Sequence, residues 1–246
     1  ELLGVSLFRI NLSHTEIKDL EETIDLIRSY TNVPICIDTE GAQIRTRLKK
    51  KANLEEGEII NIFFDYEKNP NFVNFYPKVS INQFKIGDLV FIDFNAVVVE
   101  VLKVEKNSIQ VIVINEGSIY SNKGVSINKS INLNPFTEKD ISAFKITSKK
   151  KIQNYALSFC NKKEDVLNIK KLVPKGAKII AKIENKSGFS NCKEICQTAD
   201  SILIDRGDLS KEYNIEDIPI IQKEITKIAK NVKTKIFVAT NFLESM

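Results

Sequence analysis

Histidine is nearly missing from this 246-residue chain, with His14 the only one. A histidine-centred nucleophile triad or a histidine-rich zinc site is thereby all but excluded. Cysteine is scarce too. Cys36, Cys160, Cys192 and Cys196 follow no metal-ligand or disulfide-framework spacing, so they are expected to be reduced core residues, as in a cytoplasmic protein. No apolar run approaches the ~20 residues of a membrane span, and no signal-peptide pattern opens the sequence. The net charge is only +4. Lys and Arg are interleaved with Asp and Glu, so neither a nucleic-acid nor a membrane partner is expected. The basic run Lys149-Lys150-Lys151 is expected to be solvated surface. Finally, no glycine-rich phosphate fingerprint follows the first strand, which counts against a doubly wound dinucleotide fold.

What is present is an ordinary globular balance, 43% hydrophobic and 28% charged. Val5 to Asn11 reads as an apolar strand with a polar end. Ser13-His14-Thr15-Glu16 fits a capping box, and Ile17, Leu20, Ile24 and Ile27 then recur at helical spacing as far as about Tyr30. Val33 to Thr39 is short and almost wholly apolar, as strands buried on both faces are. Between Ala52 and Leu133 the pattern becomes short alternating runs, among them Leu89 to Asp93, Val97 to Val104 and Ile109 to Asn115. That predicts an antiparallel β domain inserted into an α/β chain. Alternation of helix and strand resumes at Thr137, a predicted N-cap. Strands follow at Tyr155–Cys160, Lys178–Glu184, Ser201–Asp205 and Lys235–Thr240. One helix is expected to carry Phe189, Cys192, Ile195 and Cys196, one to follow Pro219, and one to begin near Leu243. The domains are therefore expected at 1–46 with 133–246, and at 47–132.

Nearly every α/β strand ends in chargeable or hydroxyl side chains: Arg9, Asn11 and Ser13; Asp38 and Thr39; Ser158; Lys182 and Glu184; Arg206 and Asp208; Thr240. In parallel β/α barrels the carboxyl ends of the strands form one mouth where reactive groups collect. Polar residues marking strand ends would explain one or two such cases, but not six in succession. The fold class expected is thus α/β, an incomplete parallel barrel of the (β/α)8 TIM type with an inserted small all-β domain.

Lys182 and Glu184 stand two apart on one strand and so share a face. Alone they could be a structural ion pair. Asp208, at the end of the next strand, makes a divalent site the better reading, because Mg2+ commonly takes one or two carboxylates and fills its shell with water and substrate oxygens. Lys182 would then face a transferring phosphoryl group or a developing enolate. Arg9 and Arg45 are candidate phosphate clamps. Asn11, Ser13, Asp38 and Thr39 offer hard oxygens with one formal charge, the profile of a monovalent ion site. Thr240 could hydrogen-bond a substrate carboxylate or relay a proton, although from spacing alone it is a strand-end hydroxyl.

Six segments, in order, resemble the motifs of pyruvate kinases. Phe8-Arg9-Ile10-Asn11-Leu12-Ser13-His14 is similar to their "aRxNfSHg", and Ile37 to Thr46 to "lDTkGPEIRTg". Thr137-Glu138-Lys139-Asp140 matches "seKD", and Ala181 to Asn185 resembles "sKIEn". Asp205-Arg206-Gly207-Asp208-Leu209 resembles "aRGDLg", and Ala239 to Met246 "ATqmLeSM". The resemblance implies a barrel with a mobile β-barrel lid that moves phosphate from phosphoenolpyruvate to ADP, giving pyruvate and ATP in glycolysis. It implies Mg2+ or Mn2+ on Glu184 and Asp208, and K+ on Asn11, Ser13, Asp38 and Thr39. Lys182, Arg9 and Thr240 become the catalytic residues. Substrate would touch Arg9, Lys182, Gly207, Asp208 and Thr240, and nucleotide would touch Arg45, His14 and Lys123. Members of the family are usually homo-oligomers. The resemblance runs from the family's second barrel strand to its seventh, so this stretch alone is expected to be poorly stable and inactive.

Some positions depart from the family pattern. Glu40 replaces Lys, Ala42 Pro, Gln43 Glu, Ser210 Gly and Asn241 Gln. Ile92-Asp93-Phe94-Asn95 stands where "DDG" is usual, and Asn128-Lys129 where Pro-Gly is. Gln43 bears on the potassium dependence, and Glu40 with the β-domain changes bears on the acceptor. The first rival reading is a metal-dependent pyruvate aldolase or lyase, which would also place a Glu and an Asp at adjacent strand ends. The second is a divergent relative with another acceptor or no turnover.

Overall fold

The computed structural model describes residues 4–129 and 131–239; Thr240 and the helix expected near Leu243 lie outside them. The chain divides into two compact units. One runs to Ala42 and resumes at Asn134, and the other is Gln43–Leu133.

The first unit begins with β1 (Phe8–Asn11), α1 (Ile17–Tyr30) and β2 (Ile35–Asp38). The capping box expected at Ser13 does not form. The Ser13 N–H donates to Asn11 Oδ1 at 3.0 Å and the His14 N–H to the Asn11 carbonyl at 3.0 Å. These bonds close a turn, so α1 starts only after Glu16, which supplies no side-chain cap. Helical spacing still governs the buried side of α1, where Leu20 and Ile24 are fully covered.

The second unit holds β3 (Ile44–Arg47), β4 (Ala52–Leu54), β5 (Ile59–Phe63), β6 (Asn74–Tyr76) and β7 (Leu89–Ile92). It continues with β8 (Val97–Val104), β9 (Ser108–Asn115), β10 (Gly117–Ile119) and β11 (Gly124–Ile127). Seven of these close into a barrel in the order β11-β3-β6-β5-β9-β8-β7, with β10 and β4 paired separately. Alternation builds its interior. Val97, Val99 and Val101 of β8 and Ile109, Val111 and Val113 of β9 point inward, and their neighbours are more exposed. Closure leaves the barrel strands without an open edge.

The first unit resumes with α2 (Glu138–Lys149), β12 (Asn154–Leu157), α3 (Lys163–Leu172) and β13 (Lys178–Ile183). After these come α4 (Lys186–Ser190), α5 (Cys192–Thr198), β14 (Ser201–Asp205), α6 (Arg206–Leu209), α7 (Ile218–Asn231) and β15 (Lys235–Ala239). Thr137 does cap α2, since its Oγ1 accepts from the Asp140 N–H while Asp140 accepts from the Thr137 N–H. The single helix expected through Phe189 and Cys196 is instead two. The break falls at Asn191, whose Nδ2 donates to the Asn161 carbonyl at 2.8 Å. Nor is the basic run simply solvated: Lys150 bridges to Glu21 and Asp25 of α1 at 2.9 and 2.7 Å.

The six strands of this unit form one parallel sheet in the order β1-β2-β12-β13-β14-β15. Each strand lies beside its successor within the unit, with no reversal of order. That is the arrangement of a β/α barrel wall, and it lacks the switch point of a doubly wound sheet. One face packs Ile37, Tyr155, Leu157, Ile179, Ile183 and Ile204 into the main core against the helices. The other carries a thin apolar layer of Cys36, Ala156 and Ile180, flanked by Leu7, Leu203 and Phe237. All four cysteines are free and buried.

Candidate active site

Side chains two apart on a strand share a face, so the thin apolar layer dictates what lies beyond it. Two residues past Leu7, Cys36, Ala156, Ile180, Leu203 and Phe237 stand Arg9, Asp38, Ser158, Lys182, Asp205 and Ala239. An oily floor therefore carries a second layer of charge at the carboxyl end of the sheet. Glu184 continues the β13 series by one more step, and Asp208 enters from the first turn of α6.

Lys182 stands at the centre and is 7% exposed. Its Nζ lies 2.9 Å from Glu184 Oε1 and 3.4 Å from Asp38 Oδ1, and it donates to Ser158 Oγ at 3.2 Å. Burial works against this ammonium, but the Glu184 and Asp38 carboxylates outweigh it and hold its pKa above the ordinary value. Asp38 also receives Arg9 Nε at 2.6 Å, while the Arg9 side chain remains 56% exposed.

Glu184 is 1% exposed. Its Oε2 accepts the Phe159 N–H at 2.6 Å, and Phe159 presents that N–H from a left-handed backbone, φ 50°. A bulky side chain rarely adopts such a conformation. Glu184 Oε1 accepts no well-formed hydrogen bond, although Lys182 is near. Burial raises the Glu184 pKa against the pull of Lys182, with Asp208 and Asp205 adding to the rise. Burial raises Asp205 as well, reinforced by Asp208. Burial opposes ionisation of Asp208 too, but the ammonium of Lys211 beside it outweighs this and lowers its pKa.

Glu184, Asp205 and Asp208 each offer an oxygen within 4.8 Å of the other two. Hard carboxylate oxygens, one of them buried and short of donors, fit a divalent ion such as Mg2+ or Mn2+. The potassium set is different. Asp38 already faces Arg9 and Lys182, Thr39 Oγ1 accepts the Ser158 N–H at 2.9 Å, and Asn11 Oδ1 accepts the Ser13 N–H. Each of these oxygens keeps acceptor capacity beyond the bond it makes, and a monovalent cation on Asn11, Ser13, Asp38 and Thr39 stands as a proposal from the family resemblance.

The first unit thus gathers Arg9, Asn11, Asp38, Thr39, Lys182, Glu184, Gly207 and Asp208 at one end of its sheet. His14 is exposed in the turn before α1. Arg45 and Lys123 belong to the second unit, where Arg45 Nη1 donates to the Asn122 carbonyl at 3.3 Å and Lys123 Nζ lies 2.8 Å from Asp93 Oδ2. Thr240 is outside the described residues. Two participants carry no assigned role in the sequence analysis. Ser158 bridges Lys182 to the Asp38–Thr39 segment. In the sequence Asp205 is the last residue of a strand and the first of the segment resembling "aRGDLg". The period-two rule applied from Leu203 would have found it.

Comparison with known proteins agrees with this architecture. The family description "Pyruvate kinase, barrel domain" matches residues 2–246. This chain belongs to the pyruvate kinase family. A pyruvate kinase of Thermotoga maritima is 33% identical over 99% of the chain and 55% of its own length. Plastidial pyruvate kinase 2 of Arabidopsis thaliana is 30% identical over 99% of the chain and 44% of its own length. A pyruvate kinase of Staphylococcus saprophyticus is 29% identical with the same shares. The chain spans about half the length of these relatives. Family membership accounts for a parallel sheet of consecutive strands interrupted by a β-barrel, since one barrel-domain description covers both units. No described helix is long and apolar enough to cross a membrane.

Proposed function

We propose that this chain carries the metal and phosphoryl-handling residues of a pyruvate kinase, which transfers a phosphoryl group from phosphoenolpyruvate to ADP. One observation carries the reading: a buried ammonium, Lys182, touches a carboxylate of a divalent-ion cluster built from two adjacent strands. In the transfer, the bond between phosphorus and the enol oxygen breaks and a bond to the terminal phosphate oxygen of the diphosphate forms. The enolate left behind takes a proton at carbon and becomes pyruvate.

The residues divide this work by position. Lys182 stays charged across the working pH range, because two carboxylates hold its proton. Its ammonium is placed to balance negative charge that builds up on the phosphoryl group and the enolate oxygen. Ser158 and Asp38 fix its direction. Arg9, anchored through Nε on Asp38 yet largely exposed, is available to grip a phosphate. Glu184 and Asp208 would hold Mg2+ or Mn2+, which when bound draws substrate oxygens together and neutralises their charge. Thr240 is proposed near the carbon that is protonated, from the family motif alone.

The test is an assay of the intact protein with phosphoenolpyruvate, Mg2+ and a panel of nucleoside diphosphates. Pyruvate release matched by triphosphate formation is expected, with ADP the first candidate acceptor. Pyruvate release that instead requires an aldehyde-bearing substrate, or none with any diphosphate, overturns the reading.

A further inference from the structure

We infer that Asp205 is a third carboxylate of the divalent-ion site and strengthens ion binding there, an inference that rests on the metal site proposed above. In the motif that this segment resembles, "aRGDLg", the corresponding letter is alanine. Its direction follows from the strand: Leu203 lies in the apolar floor, and Asp205 stands on the same face one step further. One of its oxygens falls within the 4.8 Å cluster with one each from Glu184 and Asp208. The second, independent sign of a ligand is Glu184 Oε1, buried in that cluster of three carboxylates with no well-formed hydrogen bond and only the Lys182 ammonium, 2.9 Å away, beside it.

The competing role for Asp205 is as the N-cap of α6. Its carboxylate accepts from the Gly207 N–H and, at Oδ1, from the Asp208 N–H at 3.4 Å, the latter longer than a good bond of this type. Asn185 caps α4 at 2.8 Å, so this chain makes tighter caps where capping is the task. A helix of four residues also gains little from its cap. A carboxylate is not required for capping, because asparagine serves as well. A negative charge is required for the ion. The two roles therefore separate in a single substitution, Asp205→Asn, which keeps an acceptor for the Asp208 N–H and removes the charge.

The experiment is Mn2+ titration of the intact protein without substrates, read by the electron paramagnetic resonance signal of free Mn2+ and repeated by competition with Mg2+. Asp205→Asn is expected to weaken Mn2+ binding about tenfold or more, at least the loss seen when an outer partner of a bound ion is removed. Glu184→Gln is expected to abolish the binding, and thermal melts of each variant confirm folding. If Asp205→Asn binds Mn2+ as the wild type does while Glu184→Gln does not, Asp205 is a cap and the inference fails with the metal site intact. If the wild type itself binds no Mn2+, the metal site and the inference fall together.

Discussion

Two carboxylates of the α/β unit are buried to almost the same depth, Asp140 at 0% and Glu184 at 1% exposure, and the fold treats them in opposite ways. Asp140 accepts three backbone N–H groups, from Glu40 at 2.8 Å, Gly41 at 3.2 Å and Thr137 at 3.0 Å. It ties the turn after β2 to the start of α2, and its lone pairs are engaged in doing so. Glu184 receives one backbone N–H, and its other oxygen has no well-formed bond, only the Lys182 ammonium 2.9 Å away, beside Asp205 and Asp208. Burial alone does not mark a functional carboxylate. A shortage of donors around a buried one does, because such a group is costly unless something else completes it.

The largest effect that would sharpen this contrast is on turnover. Lys182→Met removes the ammonium beside Glu184 and is expected to lower the turnover of the intact protein by about 10³-fold or more, with the far-ultraviolet circular dichroism unchanged. A loss smaller than tenfold would remove Lys182 from the chemistry. Next comes Asp140→Ala, which strands three buried N–H groups. At ~1–3 kcal/mol for each unsatisfied group, a loss of about 3 kcal/mol or more is expected in urea unfolding. Mn2+ binding should persist in that variant, and its disappearance would erase the distinction between the two carboxylates.

Gly41→Ala tests the same turn from the backbone side. Gly41 has φ 73°, and an added Cβ would meet the Ser158 carbonyl oxygen at 2.5 Å. A left-handed alanine together with that clash is expected to cost about 2–3 kcal/mol, read again by urea unfolding. The smallest effect is in pH dependence. Burial raises the Asp140 pKa from 3.8 to about 6, against the pull of its backbone donors. Between these values the folded state binds more protons than the unfolded chain, so this group makes stability fall as pH rises from about 4 to about 6. Asp140→Asn should flatten that part of the stability profile, and an unchanged slope would show that Asp140 does not titrate there.

Some of this was legible before any coordinates. The 3.6-residue spacing of Ile17, Leu20, Ile24 and Ile27 gave α1, and Thr137 gave the start of α2. Lys182 and Glu184 could be put on one face because a strand repeats every two residues. One expectation failed for a local reason and one for a distant one. Ser13 looked like a cap, but Asn11 captured its N–H first. The α4–α5 break depends on Asn191 reaching Asn161, thirty residues away, which no window of sequence contains.

Sequence by itself determined the alternation of strand and helix in the α/β unit, the inserted β domain and the residue types at the strand ends, because periodicity and short motifs are properties of neighbours along the chain. Only the tertiary structure decided which oxygens remain short of donors. Satisfaction of a buried group depends on partners from other strands: Phe159 for Glu184, Ser158 for Lys182, Glu40 and Gly41 for Asp140. The same carboxylate chemistry therefore yields a fastener in one place and a candidate ion site in another.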